Sequence, residues 1–369
     1  MHPLRPFQKE AYDTLCQQNH TILIAPTGSG KSLIFQTYLN NFKGSTRAIF
    51  ISPLNALARQ HEKHFVALGL NVHQGVGKEG LGPPAGSGVW ILNPEKLFGK
   101  FRKQAEEWRP NLLIVDEAHC VWEWGESFRP EFSELPKLAS LLKIQKTFWC
   151  SATVPAPALA QIGNALSSSP VVLGEFRLPE RLEVIKFRVP PHARMELLRS
   201  LLDSKEKESG MIFVATRKSS ERLLQYLHQW NIPAVSYHAG MSAEERIALE
   251  NIIATHAQKG DRLWIVATSA FGMGMDYSFL KVCILFEPSF NLLSLAQALG
   301  RVGRGINHGQ AYVLWHENDF LRHSWLLEHS PRNRERYKEV QTWCEAPDCH
   351  RAQLEKYFNG EPKSGKVEE

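Results

Sequence analysis

The sequence predicts an α/β protein of two tandem domains, each a parallel sheet covered by helices, with a short helical extension at the end. Three observations carry this expectation. The chain has 369 residues, 43% of them hydrophobic, which is too long for one ordinary compact domain and apolar enough for two cores. Short apolar runs rich in β-branched residues alternate with longer segments of helical periodicity, as strands and their covering helices do in sheets buried on both faces. The alternation runs twice, on either side of a Pro- and charge-marked stretch at 177–191.

In chain order, the first domain is expected at 1–175, with strands at 21–25, 47–52, 89–93, 111–116 and 147–151. A linker is expected at 176–192. The second domain, 193–318, repeats the pattern with strands at 210–215, 234–237, 263–268, 282–287 and 311–315. Residues 319–369 read as helical and charged, and 361–369 has the Pro, Gly, Ser and charge content of a disordered end.

Composition narrows the function classes. Lys and Arg number 43 against 38 Asp and Glu, a net charge of +5 that suits a phosphate-bearing partner without requiring one. The six cysteines stand at 16, 120, 150, 283, 344 and 349 with no C-x-x-C pair, and the opening residues lack the apolar core of a secretory leader, so reduced thiols and a cytosolic protein are expected. No apolar run approaches the ~18 to 20 residues that span a bilayer, so a membrane protein is not expected.

Between the first strand and its helix stands Ala25-Pro26-Thr27-Gly28-Ser29-Gly30-Lys31-Ser32, a P-loop pattern with Ala in place of the first Gly. Gly28 and Gly30 let backbone N–H groups wrap phosphate oxygens at a helix N-terminus, Lys31 is suited to the β and γ phosphates, and Ser32 to magnesium. The plainer alternative, a Gly-rich turn with no ligand, is weakened by a pair of carboxylates further along the chain. Residues 112–119 read LLIVDEAH, which puts Asp116 and Glu117 at the carboxyl end of a buried strand, where ligands gather in open parallel sheets. Asp116 suits the metal, directly or through its water, and Glu117 suits the attacking water. Alone, such a pair is often an acidic helix cap. Together with the P-loop it reads as the second half of a nucleotide site.

A resemblance enters with the run DEAHCVWEWGESFRP at 116–130, which is similar to the aromatic-rich loop of the RecQ family within helicase superfamily 2. The likeness extends over roughly residues 1–360. Leu4 to Gln8 resembles the adenine-reading motif, in which Arg5 would stack and Gln8 pair with the base. Residues 52–60 and 93–97 resemble strand-contacting motifs. Ser151-Ala152-Thr153 resembles motif III, which couples the lobes. Residues 213–218 and 237–241 resemble motif IV and the segment after it, 267–276 resembles motif V, and 297–304 resembles motif VI.

The resemblance implies two tandem RecA-like lobes that bind ATP and Mg²⁺ and act on single-stranded and partly duplex DNA, with a monomer as the default. It implies roles for Arg301 and Arg304 as arginines entering the nucleotide site from the other lobe, worth ~10³ to 10⁵ in rate in such enzymes. Asp276 and Gln297 fall among the implied nucleotide contacts, with Thr27 to Ser32. Trp122, Trp124, Phe128 and Arg129 are implied to sense bound strand; base stacking on aromatics is worth ~1 to 3 kcal/mol per base, although the same rings also suit a gap beneath a loop. His119 is expected to link nucleotide state to motif III through Ser151 and Thr153, and most other histidines to be solvated or satisfied in the core.

Departures from the family pattern set further expectations. Cys349 and Tyr357-Phe358 match the start of the family's zinc subdomain, but the clustered cysteines after it are missing, so Cys344 and Cys349 are not expected to close a four-ligand zinc site. No winged helix is expected. Glu126 and Ser127 stand where His and Asp are common, Trp122 replaces a small residue, and Gly305-Ile306 replaces the acid after motif VI. The expected function is a DNA helicase or translocase moving 3′ to 5′ in repair or recombination. RNA remodelling, translocation without unwinding, and an ATP-switched binding or annealing module are the alternatives.

Overall fold

The computed structural model describes residues 3–77, 80–124, 129–238, 240–268, 279–303, 308–324, 331–347 and 350–360. The chain forms two compact units, Met1–Phe176 with Lys356–Glu369, and Arg177–Glu355. Each is an α/β lobe of the RecA type.

The first unit has strands β1 (His20–Ile24), β2 (Arg47–Ile51), β3 (Val72–Gln74), β4 (Gly88–Leu92), β5 (Leu112–Asp116), β6 (Lys146–Ser151) and β7 (Val171–Leu173). Its helices are α1 (Pro6–Gln17), α2 (Lys31–Asn41), α3 (Asn55–Ala67), α4 (Pro94–Phe98), α5 (Arg102–Trp108), α6 (Cys120–Glu123), α7 (Glu131–Leu141) and α8 (Ala156–Ala165). The sheet runs in the order β3-β4-β2-β5-β6-β1-β7, with every pairing parallel. β1 and β4 are buried at every residue, as strands covered on both faces must be. Phe35, Phe50, Phe65 and Phe148 pack at 5.3 to 6.4 Å between ring centres beneath α2 and α3. Lys146 of β6 donates to the carbonyls of Leu15, Cys16 and Gln18, satisfying the end of α1 that has no intrahelical donors left.

In the second unit the strands are β8 (Leu182–Arg188), β9 (Gly210–Phe213), β10 (Ala234–Tyr237), β11 (Trp264–Ala267), β12 (Val282–Leu285) and β13 (Gly309–Trp315). The helices are α9 (Arg194–Ser204), α10 (Arg217–Gln229), α11 (Ala243–Lys259), α12 (Leu292–Leu299), α13 (Glu317–Ser324) and α14 (Pro331–Glu345), and α15 (His350–Asn359) begins in this unit and ends in the first. Its sheet, β10-β11-β9-β12-β13-β8, is also parallel throughout. A buried Arg194–Asp319 pair, bonded at 2.6 and 3.1 Å, fixes α9 to α13. His323 of α13 meets the Tyr337 hydroxyl of α14 at 2.9 Å.

All ten expected strands are present. β3, β7 and β8 were not anticipated. β8 lies inside the stretch expected to be linker, and its sequence LEVIKFR alternates apolar with charged residues, as an edge strand half open to water does. Arg351 of α15 donates to the carbonyls of Leu178, Pro179, Glu180 and Leu182 at the approach to this strand. Among the described residues no helix is long and apolar enough to cross a membrane.

Candidate active site

The register of the first sheet gathers the sequence's chemical residues at one edge. Ile24 pairs with Ser151 and Asp116 with Cys150, so the loops leaving β1, β5 and β6 emerge side by side at the carboxyl ends of their strands. Ala25 N–H donates to the Ser151 carbonyl at 3.0 Å. In the loop after β1, Gly28 and Gly30 have φ of 78° and 84°, left-handed backbone that glycine adopts without a Cβ penalty. Gly30 is also the N-cap of α2, so the first N–H groups of that helix face the loop. Lys31 Nζ donates to the carbonyls of Ala25 (2.9 Å) and Pro26 (3.1 Å). Thr27, Ser29 and Ser32 are half-buried, and Ser29 Oγ is a buried hydroxyl with no hydrogen-bond partner.

Gln8, expected to read a base, is buried and engaged with the loop itself. Its Nε2 donates to the carbonyls of Ser29 (3.0 Å) and Gly30 (3.1 Å), and its Oε1 accepts from Arg5 N–H (2.8 Å). A Cβ on Gly30 would lie 2.6 Å from Gln8 Nε2. Helix α1 therefore holds the P-loop through one side chain.

Asp116 ends β5 and Glu117 comes next with φ of 52°, a conformation that costs non-glycine residues on the order of 1–3 kcal/mol and clusters at functional sites. Asp116 Oδ1 accepts from Glu117 N–H (3.0 Å) and Cys150 Sγ (3.4 Å), and Oδ2 accepts from His61 Nε2 (3.1 Å). Glu117 Oε2 lies 3.3 Å from His119 Nδ1 and 3.5 Å from Ser151 Oγ. His119 Nδ1 is 2.9 Å from the same hydroxyl, and Thr153 N–H donates to it at 3.2 Å. The two carboxylates thus face different neighbours, Asp116 toward α3 and Glu117 toward the segment after β6. Burial disfavours the charged form of His119, and the Glu117 carboxylate 3.3 Å from Nδ1 works against this, so its pKa stands above the usual histidine value. Burial pushes the Cys120 thiol up, so it stays protonated.

The aromatic segment divides in two. Trp122 is half-buried and packs on Ile24, Val154 and Ala158, inside the lobe, the arrangement of rings that fill a gap beneath a loop. Trp124 meets Phe132 edge-on at 5.4 Å. Arg129 lies over both rings, 5.3 and 4.7 Å from their centres. Its guanidinium grips both Glu95 oxygens and donates to the Pro53 carbonyl at 2.6 Å. Burial raises the Glu95 pKa, and the bonds from Arg129 more than reverse this. One arginine therefore joins the aromatic segment to 52–60 and to α4, the two stretches read as strand-contacting.

In the second unit, Arg301 is 7% exposed and shares a pocket with Phe213, Glu287, Phe290 and Gln297 at the ends of β9 and β12. Arg304, Asp276 and Phe128 lie outside the described residues, as do Glu126, Ser127, Gly305, Ile306, Cys349 and most of 267–276. Cys344 is buried on α14, which pushes its thiol up to about 12.

Sequence reasoning missed His61, Glu95 and Cys150. His61 left one trace: it shares the stripe of α3 with Leu57, Ala58 and Phe65, all buried, at the helical spacing of a core face.

Comparison with known proteins agrees with this arrangement. The DEAD/DEAH box helicase family matches residues 5–162, and the helicase conserved C-terminal domain matches 193–305. The ATP-dependent DNA helicase RecQ of Pasteurella multocida is 28% identical over 96% of this chain and 57% of its own length. The chain is similar to the RecQ helicases of superfamily 2. The RecQ of Bacillus subtilis is 25% identical over 94% of the RecQ-like chain and 60% of its own. The chain thus spans little more than half the length of these relatives. In fold the RecQ-like chain is similar to Saccharomyces cerevisiae Dbp5 bound to RNA and ADP BeF3, with a TM-score of 0.67 at 17% identity over 91% of this chain and 93% of that one.

Proposed function

We propose that this chain is an ATP- and magnesium-dependent DNA helicase or translocase that moves 3′ to 5′ along single strands in DNA repair or recombination. The observation that carries the reading is the bonded group Glu117–His119–Ser151–Thr153 beside the P-loop. It joins a base candidate to a segment whose position can report on bound strand. The names of the RecQ relatives, ATP-dependent DNA helicases, support DNA as the polymer.

The residues fit a magnesium nucleotide. Ser29 Oγ is an unsatisfied buried hydroxyl, Gly28 and Gly30 carry the left-handed backbone that turns the loop, and Asp116 and Ser32 are the hard oxygen donors that magnesium takes. Magnesium, when bound, neutralises charge on the β and γ phosphates. In this reading Lys31 exchanges its loop carbonyls for phosphate oxygens, Glu117 orients and deprotonates the attacking water, and His119 keeps the Glu117 carboxylate aimed. Arg301 and Arg304 stabilise the developing charge, and Asp276 and Gln297 contact the nucleotide. Arg5 stacks on the base. Trp124, Phe128 and Arg129 relay strand contact, which should be to phosphates and stacked bases and weaken with salt. Chromosomal DNA would place the protein in the cytoplasm or nucleoid of a bacterium, or in a nucleus.

Strand displacement on duplexes carrying a 3′ or a 5′ single-stranded overhang tests this directly. ATP-dependent displacement of the 3′-overhang duplex alone is expected. Displacement favouring the 5′ overhang would overturn the polarity, and stimulated hydrolysis without displacement would reduce the chain to a translocase.

A further inference from the structure

We infer that His61 is a positioning residue for the Asp116 carboxylate, holding it in the orientation that magnesium requires; this rests on the nucleotide–magnesium reading above. Three observations lead there. His61 Nε2 meets Asp116 Oδ2 at 3.1 Å, whereas Oδ1 takes both Glu117 N–H and Cys150 Sγ. A carboxylate only accepts, so Nε2 carries the proton and the tautomer is set by this bond. The ring is buried, 6% exposed, between Phe50, Phe35 and Phe65, with centres 4.7, 5.7 and 5.9 Å away. Its other nitrogen, Nδ1, has no hydrogen-bond partner.

An apolar sleeve of three phenyl rings is a costly place for an imidazole unless its polar edge is satisfied, and Asp116 is the group that satisfies it. Packing fixes where the ring points, and the ring in turn fixes Oδ2. Without that donor, Asp116 keeps its Oδ1 bonds but its second oxygen loses the partner that α3 supplies. Groups that hydrogen-bond a metal-ligating carboxylate typically contribute about 10- to 100-fold in metal affinity. His61 therefore acts through Asp116.

The test is binding of a fluorescent ATP analogue to the full chain while Mg²⁺ is titrated, with binding in EDTA as the reference, for wild type, His61→Leu and His61→Gln. Leucine keeps the apolar packing and removes the donor, while glutamine restores an N–H at a similar reach. His61→Leu is expected to raise the half-saturating Mg²⁺ concentration about tenfold or more with binding in EDTA unchanged, and His61→Gln to restore most of it. His61→Met, which also lacks a donor, takes the place of leucine if that variant fails to fold. An unchanged Mg²⁺ midpoint in the donorless variant overturns the inference, as does an equal shift in the glutamine variant, which would make the effect one of packing. Wild-type binding that ignores Mg²⁺ altogether overturns the nucleotide–magnesium reading, and this inference with it.

Discussion

Gln8 shows how one residue can tie local structure to chemistry. Its amide bonds Arg5 on one side and the P-loop carbonyls of Ser29 and Gly30 on the other, so α1 and the loop move together. Gln8→Ala leaves one buried N–H and two carbonyls to find other partners, and should lower the stability of the first unit by about 1–3 kcal/mol, read as a lower urea midpoint. It should also weaken ATP binding more than that loss of folded protein explains. At this scale the sequence was most informative where chemistry demands fixed spacing. Gly28 and Gly30 carry left-handed backbone in the loop after β1, and Asp116 ends β5 with Glu117 next to it. The residues that brace the site were not legible in that way. Glu95 meets its partner across 34 residues and His61 across 55, and only strand register decides which distant side chains meet.

Among elements, Arg129 is the junction that matters most. It joins the segment after α6 to α4 and to the Pro53 carbonyl, with Trp124 and Phe132 beneath its guanidinium. Arg129→Ala should reduce stimulation of hydrolysis by single-stranded DNA severalfold more than it reduces the unstimulated rate, measured side by side at saturating ATP. Helices α13 and α14 offer a separate test. Burial lowers the His323 pKa and Glu287 and Asp319 work against it, while Arg322 and Arg194 add to the lowering. A histidine with a depressed folded pKa contributes stability that is present above the unfolded value of about 6.5 and is lost as pH falls through the folded one. Melting temperature should therefore fall between about pH 7.5 and 5.5 by more in wild type than in His323→Gln. Element types were largely readable because a doubly covered parallel sheet requires continuous apolar strands, and ten such runs stood out. β8 escaped because an edge strand alternates and carries charge, and β3 and β7 because three residues are too few to show a period.

At the scale of the whole molecule, two RecA-type lobes in one chain suit the strand-driven ATPase proposed above. Length and the twofold recurrence of the strand pattern announced two sheets, and the order of the motifs announced helicase superfamily 2. The sequence did not disclose how the catalytic edge is braced, since α1 through Gln8, α3 through His61 and α4 through Glu95 all reach it from segments remote in the chain. In the proposed reaction, hydrolysis depends on nucleic acid and uses Glu117. The most direct measurement is the steady-state ATP hydrolysis rate with no nucleic acid, single-stranded DNA, single-stranded RNA and duplex DNA, for wild type and Glu117→Gln. Strong stimulation by single-stranded DNA is expected, with a loss of about 10²-fold or more in Glu117→Gln while ATP still binds. Equal wild-type rates under every condition, or full activity in the glutamine variant, would contradict it.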